Sequence, residues 1–124
     1  MQESFTVAIN AVIYQDGDDW IAQGIEHDIC AQGRSIQEAR RAFEESVVGM
    51  ALFGVASGKR PLSDIPPAPE EFHAMFEKAE VSIDSATKDS WAALSMLPRE
   101  AAPKVKPVFR LFERSQESFP AFAY

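Results

Sequence analysis

From Phe5 the apolar residues alternate through Val7, Ile9, Ala11 and Ile13, with Thr6, Ala8 and Asn10 between them. A period of two is the mark of a half-buried strand. The run Gln15-Asp16-Gly17-Asp18-Asp19 follows. Gly17 can take positive φ and the aspartates can hydrogen-bond nearby backbone N–H groups, so a hairpin is expected there. Trp20–Ile25 reads as the returning strand, Glu26-His27-Asp28 as a polar link, and Ile29–Arg34 as a short third strand.

At Ser35 the period changes. Ser35 with Glu38 three positions on forms an S-x-x-E capping box, which satisfies two otherwise orphan N–H groups at a helix start. Ala39, Phe43, Val47, Met50 and Gly54 then fall on one stripe, while Gln37, Arg40, Arg41, Glu44 and Glu45 fall mostly elsewhere. Gly58 suits a left-handed helix end and Pro61 cannot continue the helix, so its span is predicted as 36–57. Pro61 to Pro69 reads as an extended connector. Pro69-Glu70-Glu71 suits a helix first turn, with Phe72, Met75, Phe76 and Ala79 as its apolar face, and Val81-Ser82-Ile83 is expected to add a fourth strand beside the first three.

Beyond Asp84 the pattern is less regular. Trp91, Leu94 and Leu97 suggest a helix ending at Pro98, although Trp91–Met96 also fits a strand. Ala101–Pro107 reads as an extended link, with a final helix opening at Pro107 and running through Phe109 and Phe112. The predicted class is α+β: a three- to four-stranded, mostly antiparallel sheet with one long helix packed on it. Residues 1–84 would form that domain, and 85–124 a helical or extended C-terminal segment.

Composition adds limits. Apolar residues are 46% and charged residues 25% of the chain, values of an ordinary globular domain rather than a disordered one. Cys30 is the only cysteine and MQESFTVAIN lacks the basic start and apolar core of a signal peptide, so a reducing cytoplasm is expected. The longest apolar stretch, Val47–Ala56, is interrupted by Gly49 and Gly54 and is well short of the ~20 residues that span a bilayer, so no membrane association is expected. The net charge of −7 is uneven, with 6 Lys/Arg against 15 Asp/Glu in residues 1–84 and 6 against 4 in residues 85–124. Such an acidic first part repels phosphate backbones and suits a basic protein partner.

The order of three motifs carries a family resemblance. Asp16-Gly17-Asp18-Asp19-Trp20, Cys30-Ala31-Gln32-Gly33 and Ser35-Ile36-Gln37-Glu38-Ala39 follow one another as in the N-terminal domain of the HicB antitoxin family, which Ala11–Leu52 resembles. One departure is the loop before the cysteine, where Ile25-Glu26-His27-Asp28-Ile29 stands in place of the family's Pro-x-Leu-Pro-Gly pattern. The resemblance implies an incomplete ribonuclease H-like fold that binds and blocks a small basic RNA-cleaving toxin, as a dimer or higher oligomer. Family members often add a C-terminal DNA-binding module, yet Pro98, Pro103 and Pro107 interrupt every helix pair that residues 85–124 could offer.

Candidate chemistry weighs against catalysis. Asp16, Asp18, Asp19, Glu26 and Asp28 supply the carboxylates of a two-metal nuclease, but in a turn and a link they read as solvated residues. His27, Asp28, Cys30 and His73 match no zinc-site spacing, and Cys30 with His27 has no third orienting group, so a buried apolar thiol is expected. The expectation is therefore a non-enzymatic protein without metal or cofactor. Its partner surface would be Asp16, Asp18, Asp19, Trp20, Glu26 and Asp28, and exposed strand edges would pair it with itself. The alternatives are a DNA-binding repressor using Lys104, Lys106, Arg110 and Arg114, and a solitary HicB-like protein without a toxin.

Overall fold

The first strand, β1 (Thr6–Asp16), carries the alternation seen in the sequence, and β2 (Asp19–Gly24) returns on it antiparallel, Asp16 facing Asp19 and Ala11 facing Gly24. Of the two residues joining them only Gly17 has positive φ, at 65°, the requirement of a II′ hairpin turn with glycine in its first position. The third strand, β3 (Cys30–Gly33), pairs antiparallel with β2 from Trp20↔Gly33 to Gln23↔Cys30. The computed structural model describes residues 6–83, 94 and 104–113. Phe5, Trp91 and the helix expected to end at Pro98 lie outside the described residues, apart from Leu94, which is buried.

Helix α1 (Ile36–Ala56) starts where the cap places it. The Ser35 hydroxyl accepts from the Glu38 N–H at 3.1 Å, while the Glu38 carboxylate reaches back to the N–H of Arg34, one residue before the capping serine. Gly58, at φ +81, ends the helix. Its N–H donates to Val55 C=O and that of Lys59 to Gly54 C=O, the paired bonds of a Schellman motif. The buried ridge runs Ala39, Phe43, Val47 and Ala51, with Arg40, Glu44 and Val48 beside it. Met50, expected on the core stripe, is exposed, and Arg40 and Glu44, expected off it, are buried with Arg40 Nε 4.0 Å from Glu44 Oε1. Four-residue steps drift by 40° each on a helix of 3.6 residues per turn, so the ridge passes to Ala51 and rotates Met50 toward solvent.

Helix α2 (Glu70–Lys78) covers the opposite face of the sheet. Met75, Phe76 and Ala79 pack with Val12, Ile25 and Phe112, and the Phe72 ring stacks on Tyr14 with centroids 6.2 Å apart. Strand β1 is consequently not half-buried as the alternation suggested: Ala11 and Ile13 face the α1 side and Val12 the α2 side, and all three have no exposure.

The sheet has five strands in the order β3-β2-β1-β5-β4, one more than the largest number expected. Strand β4 (Val81–Ile83) lies at the far edge, not beside the first three, and β5 (Lys104–Leu111) runs between β4 and β1. The helix expected from Pro107 is therefore part of a strand, parallel to β1 over eight residues from Thr6↔Lys104 to Ile13↔Leu111. Val105, Phe109 and Leu111 give it a period of two on the α1 face, and Phe109 meets Phe43 edge-on, centroids 5.8 Å apart at 86°. Pro107 is tolerated because β4 pairs only with Phe109–Leu111, leaving proline beyond that ladder. The result is a mixed α+β fold with a five-stranded sheet, mostly antiparallel, and helices on both faces.

Candidate functional site

The candidate carboxylates fall at the two ends of β2, separated by its six residues, roughly 17 Å at ~3.3 Å per residue. At the hairpin end Asp16 and Asp18 are exposed. Asp19, next to them, accepts a hydrogen bond from Gln32 Nε2 at 2.8 Å and lies 4.0 Å from the Arg34 guanidinium. Trp20 is half-buried against the α1-side core, so its ring borders the sheet's interior rather than standing free.

At the other end the acidic side chains are hydrogen-bonded within the fold, Glu26 half-buried and Asp28 still exposed. Both oxygens of the Glu26 carboxylate bind Asn10, one accepting from its backbone N–H at 2.9 Å and the other from its side-chain amide, while Ile25 N–H donates to Asn10 C=O. Asp28 accepts from Gln23 Nε2 at 2.9 Å. The loop is further strapped to the connector: Asp28 N–H donates to Pro66 C=O, Ala68 N–H to Ile25 C=O, and His27 Nδ1 sits 3.3 Å from the Ile65 carbonyl. That connector is not fully extended, since two turn bonds, Ser63 N–H to Arg60 C=O and Ile65 N–H to Leu62 C=O, bend its first half. The residue between them, Leu62, is buried at φ +65, a backbone region that leucine rarely enters.

Cys30 is exposed, not the buried apolar thiol expected, because its position on β3 points away from α1. Such burial as its thiol has, followed by the nearby Asp28 carboxylate, raises its pKa and disfavours the thiolate that nucleophilic chemistry needs. His73 is held elsewhere, with Nε2 3.0 Å from the Ala68 carbonyl. Among the described residues no three His, Cys, Asp or Glu side chains are grouped to hold a metal ion, and no helix is long and apolar enough to cross a membrane.

The basic residues are split as well. Lys104 and Lys106 belong to β5 inside the sheet, and Arg114 lies outside the described residues. Arg110 lies with its guanidinium 4.3 Å over the Phe76 ring and donates to the Phe76 carbonyl at 3.1 Å, an internal cation–π clamp between β5 and α2.

One feature escaped the sequence reading. An apolar groove of about 260 Å³ opens between the end of α1 and the turn after it, lined by Met50, Phe53, Gly54, Leu62 and Ile65, with the Lys59–Asp64 ion pair at its rim. Phe53 is 74% and Met50 45% exposed. The available signal was the four-residue ridge, which leaves both side chains off the core.

Comparison of the chain with protein-family models, curated proteins and solved structures finds no match. The class that geometry defines is the mixed α+β sheet with helices on both faces, presenting exposed carboxylates at one hairpin tip.

Proposed function

We propose that the chain is a non-enzymatic binding protein of the HicB antitoxin type, on an incomplete ribonuclease H-like scaffold, that captures a small basic RNA-cleaving toxin in the cytoplasm. The observation that carries the reading is the hairpin tip: Asp16, at the end of β1, and Asp18, in the two-residue turn, are exposed, where a cationic partner can reach them. Carboxylates held on a short turn lose little freedom on binding and steer a basic partner at long range. The order of the 16–20, 30–33 and 35–39 motifs and the acidic balance of residues 1–84 support the same reading.

Glu26 and Asp28 act in this account as supports, because their oxygens already serve Asn10 and Gln23. The partner surface contracts to Asp16, Asp18 and the flank of Asp19. Co-expression with a small basic protein encoded beside the gene is the test: capture on a column and rescue of growth are expected, and the absence of both would refute the proposal.

A further inference from the structure

The groove at the end of α1 is concave and apolar, about 260 Å³ in volume, with Met50, Phe53, Leu62 and Ile65 on its walls. Phe53 stays largely exposed there, so an occupant that covers it gains the free energy of removing apolar surface from water. Leu62 is the one non-glycine residue at positive φ among the described residues. Its buried side chain and the two turn bonds around it hold it in that strained region, a feature that clusters at ligand clamps. The wall that Leu62 forms is therefore set before anything binds.

The rim fixes the sign of the ligand. Ser57, Lys59, Arg60 and Ser63 supply donors there against the single carboxylate of Asp64. Two cations against one carboxylate leave one positive charge over, in a part of the chain, residues 1–84, that holds 6 Lys/Arg against 15 Asp/Glu. Lys59 pairs with Asp64, but an ammonium has three N–H bonds to give and this side chain is 53% exposed, so it can hold a second carboxylate without releasing the first.

Size favours a small molecule over a protein. A stable protein contact takes about 800 Å² from each side. Of the exposed large apolar side chains among the described residues, only Met50 and Phe53 lie here, while Val81 and Val108 belong to β4 and β5. The apolar patch thus stops at the groove, whose volume is close to the lower end of small-molecule sites, roughly 300 Å³. We propose that the groove binds a small monocarboxylate with a flexible apolar chain, the chemistry of a medium-chain fatty acid. The chain lies against Phe53 and Leu62 and the carboxylate points to Lys59 and Arg60. Helix α1 starts just after Gly33, which pairs with Trp20 beside the hairpin, and its 21 residues, ~31 Å at ~1.5 Å each, separate that end from the groove. This inference is therefore independent of the toxin reading.

Titration of the full chain with octanoate below its micelle-forming range, read by backbone amide NMR shifts, is the test. Saturable shifts centred on residues 50–65 are expected, with affinity falling roughly threefold for each methylene removed in heptanoate and hexanoate. Octanol, the same chain without the charge, should bind roughly fivefold more weakly, the scale of exposed ion pairs. Phe53→Ser, at an exposed position, should weaken octanoate binding about tenfold. The double variant Lys59→Glu/Arg60→Glu should lose the preference for octanoate over octanol. No saturable binding, binding unchanged in Phe53→Ser, or equal affinity of the wild type for octanoate and octanol would overturn the proposal. Shifts at the same residues that grow with protein concentration alone would assign the groove to a protein contact and overturn it as well.

Discussion

The two ends of β2 carry the same kind of residue and use it in opposite ways. At the hairpin end Asp16 and Asp18 are exposed, whereas at the loop end Glu26 is bound through both oxygens to Asn10 and Asp28, although exposed, accepts from Gln23. The difference lies in what surrounds the backbone. A two-residue turn satisfies itself, but the five-residue passage from β2 to β3 leaves polar groups that only side chains and the connector can serve. A carboxylate's position in the chain therefore says little about its availability until its neighbours' hydrogen bonds are counted.

The contrast can be broken from either end, and the scaffold shared by both ends should give the largest effects. Phe43→Ala removes a ring with 1% exposure that meets Phe109 and Gly24 at the end of β2, and should cost about 3–5 kcal/mol in denaturant melts. Gly33→Ala comes next. A Cβ there would lie 2.5 Å from Ala39 N and 2.7 Å from Glu38 C, both backbone atoms, so the start of α1 must lift from β3 at a cost of roughly 1–3 kcal/mol. Glu26→Ala should destabilise by about 1.5–3 kcal/mol, the scale of hydrogen bonds to a charged group, and hydrogen exchange at the Asn10 amide should accelerate with it.

At the hairpin tip the expectation is the opposite. Asp16→Asn and Asp18→Asn should each leave stability within about 0.5 kcal/mol by thermal melting, as for exposed surface positions. Alkylation of Cys30 is the mildest probe. Its raised pKa predicts slower reaction at neutral pH than an ordinary exposed thiol, with the rate still rising with pH beyond the usual thiol range.

Legibility differed between parts of the chain for physical reasons. The hairpin, β3 and α1 were readable because their signals are local: Gly17 in a two-residue turn, Ser35 three residues before Glu38, and Gly58 at the helix end. Strand β5 was not, since its partner β1 lies about a hundred residues earlier in the chain. Pro107 resembled the first residue of a helix, and Phe109 with Phe112 matched helical spacing, yet those two rings lie in clusters on opposite faces of the sheet. The burial of Val12 was missed for the same reason, because only α2 on the far face explains it. At the candidate site, the turn aspartates were identifiable as exposed from turn chemistry alone. The internal roles of Glu26 and Asp28 depend on Asn10, Gln23 and Pro66, which neighbour them only in the folded chain.

The central claim is that the hairpin tip, and not the strapped loop, receives a basic partner. The most direct measurement is calorimetric titration of the small basic protein encoded beside the gene into the wild-type chain and into the Asp16→Lys/Asp18→Lys double variant. The account predicts binding to the wild type and at least tenfold weaker binding to a variant whose melting is unchanged, about 1.4 kcal/mol of lost affinity. Equal affinity for the two proteins, or no binding to the wild type, would contradict it.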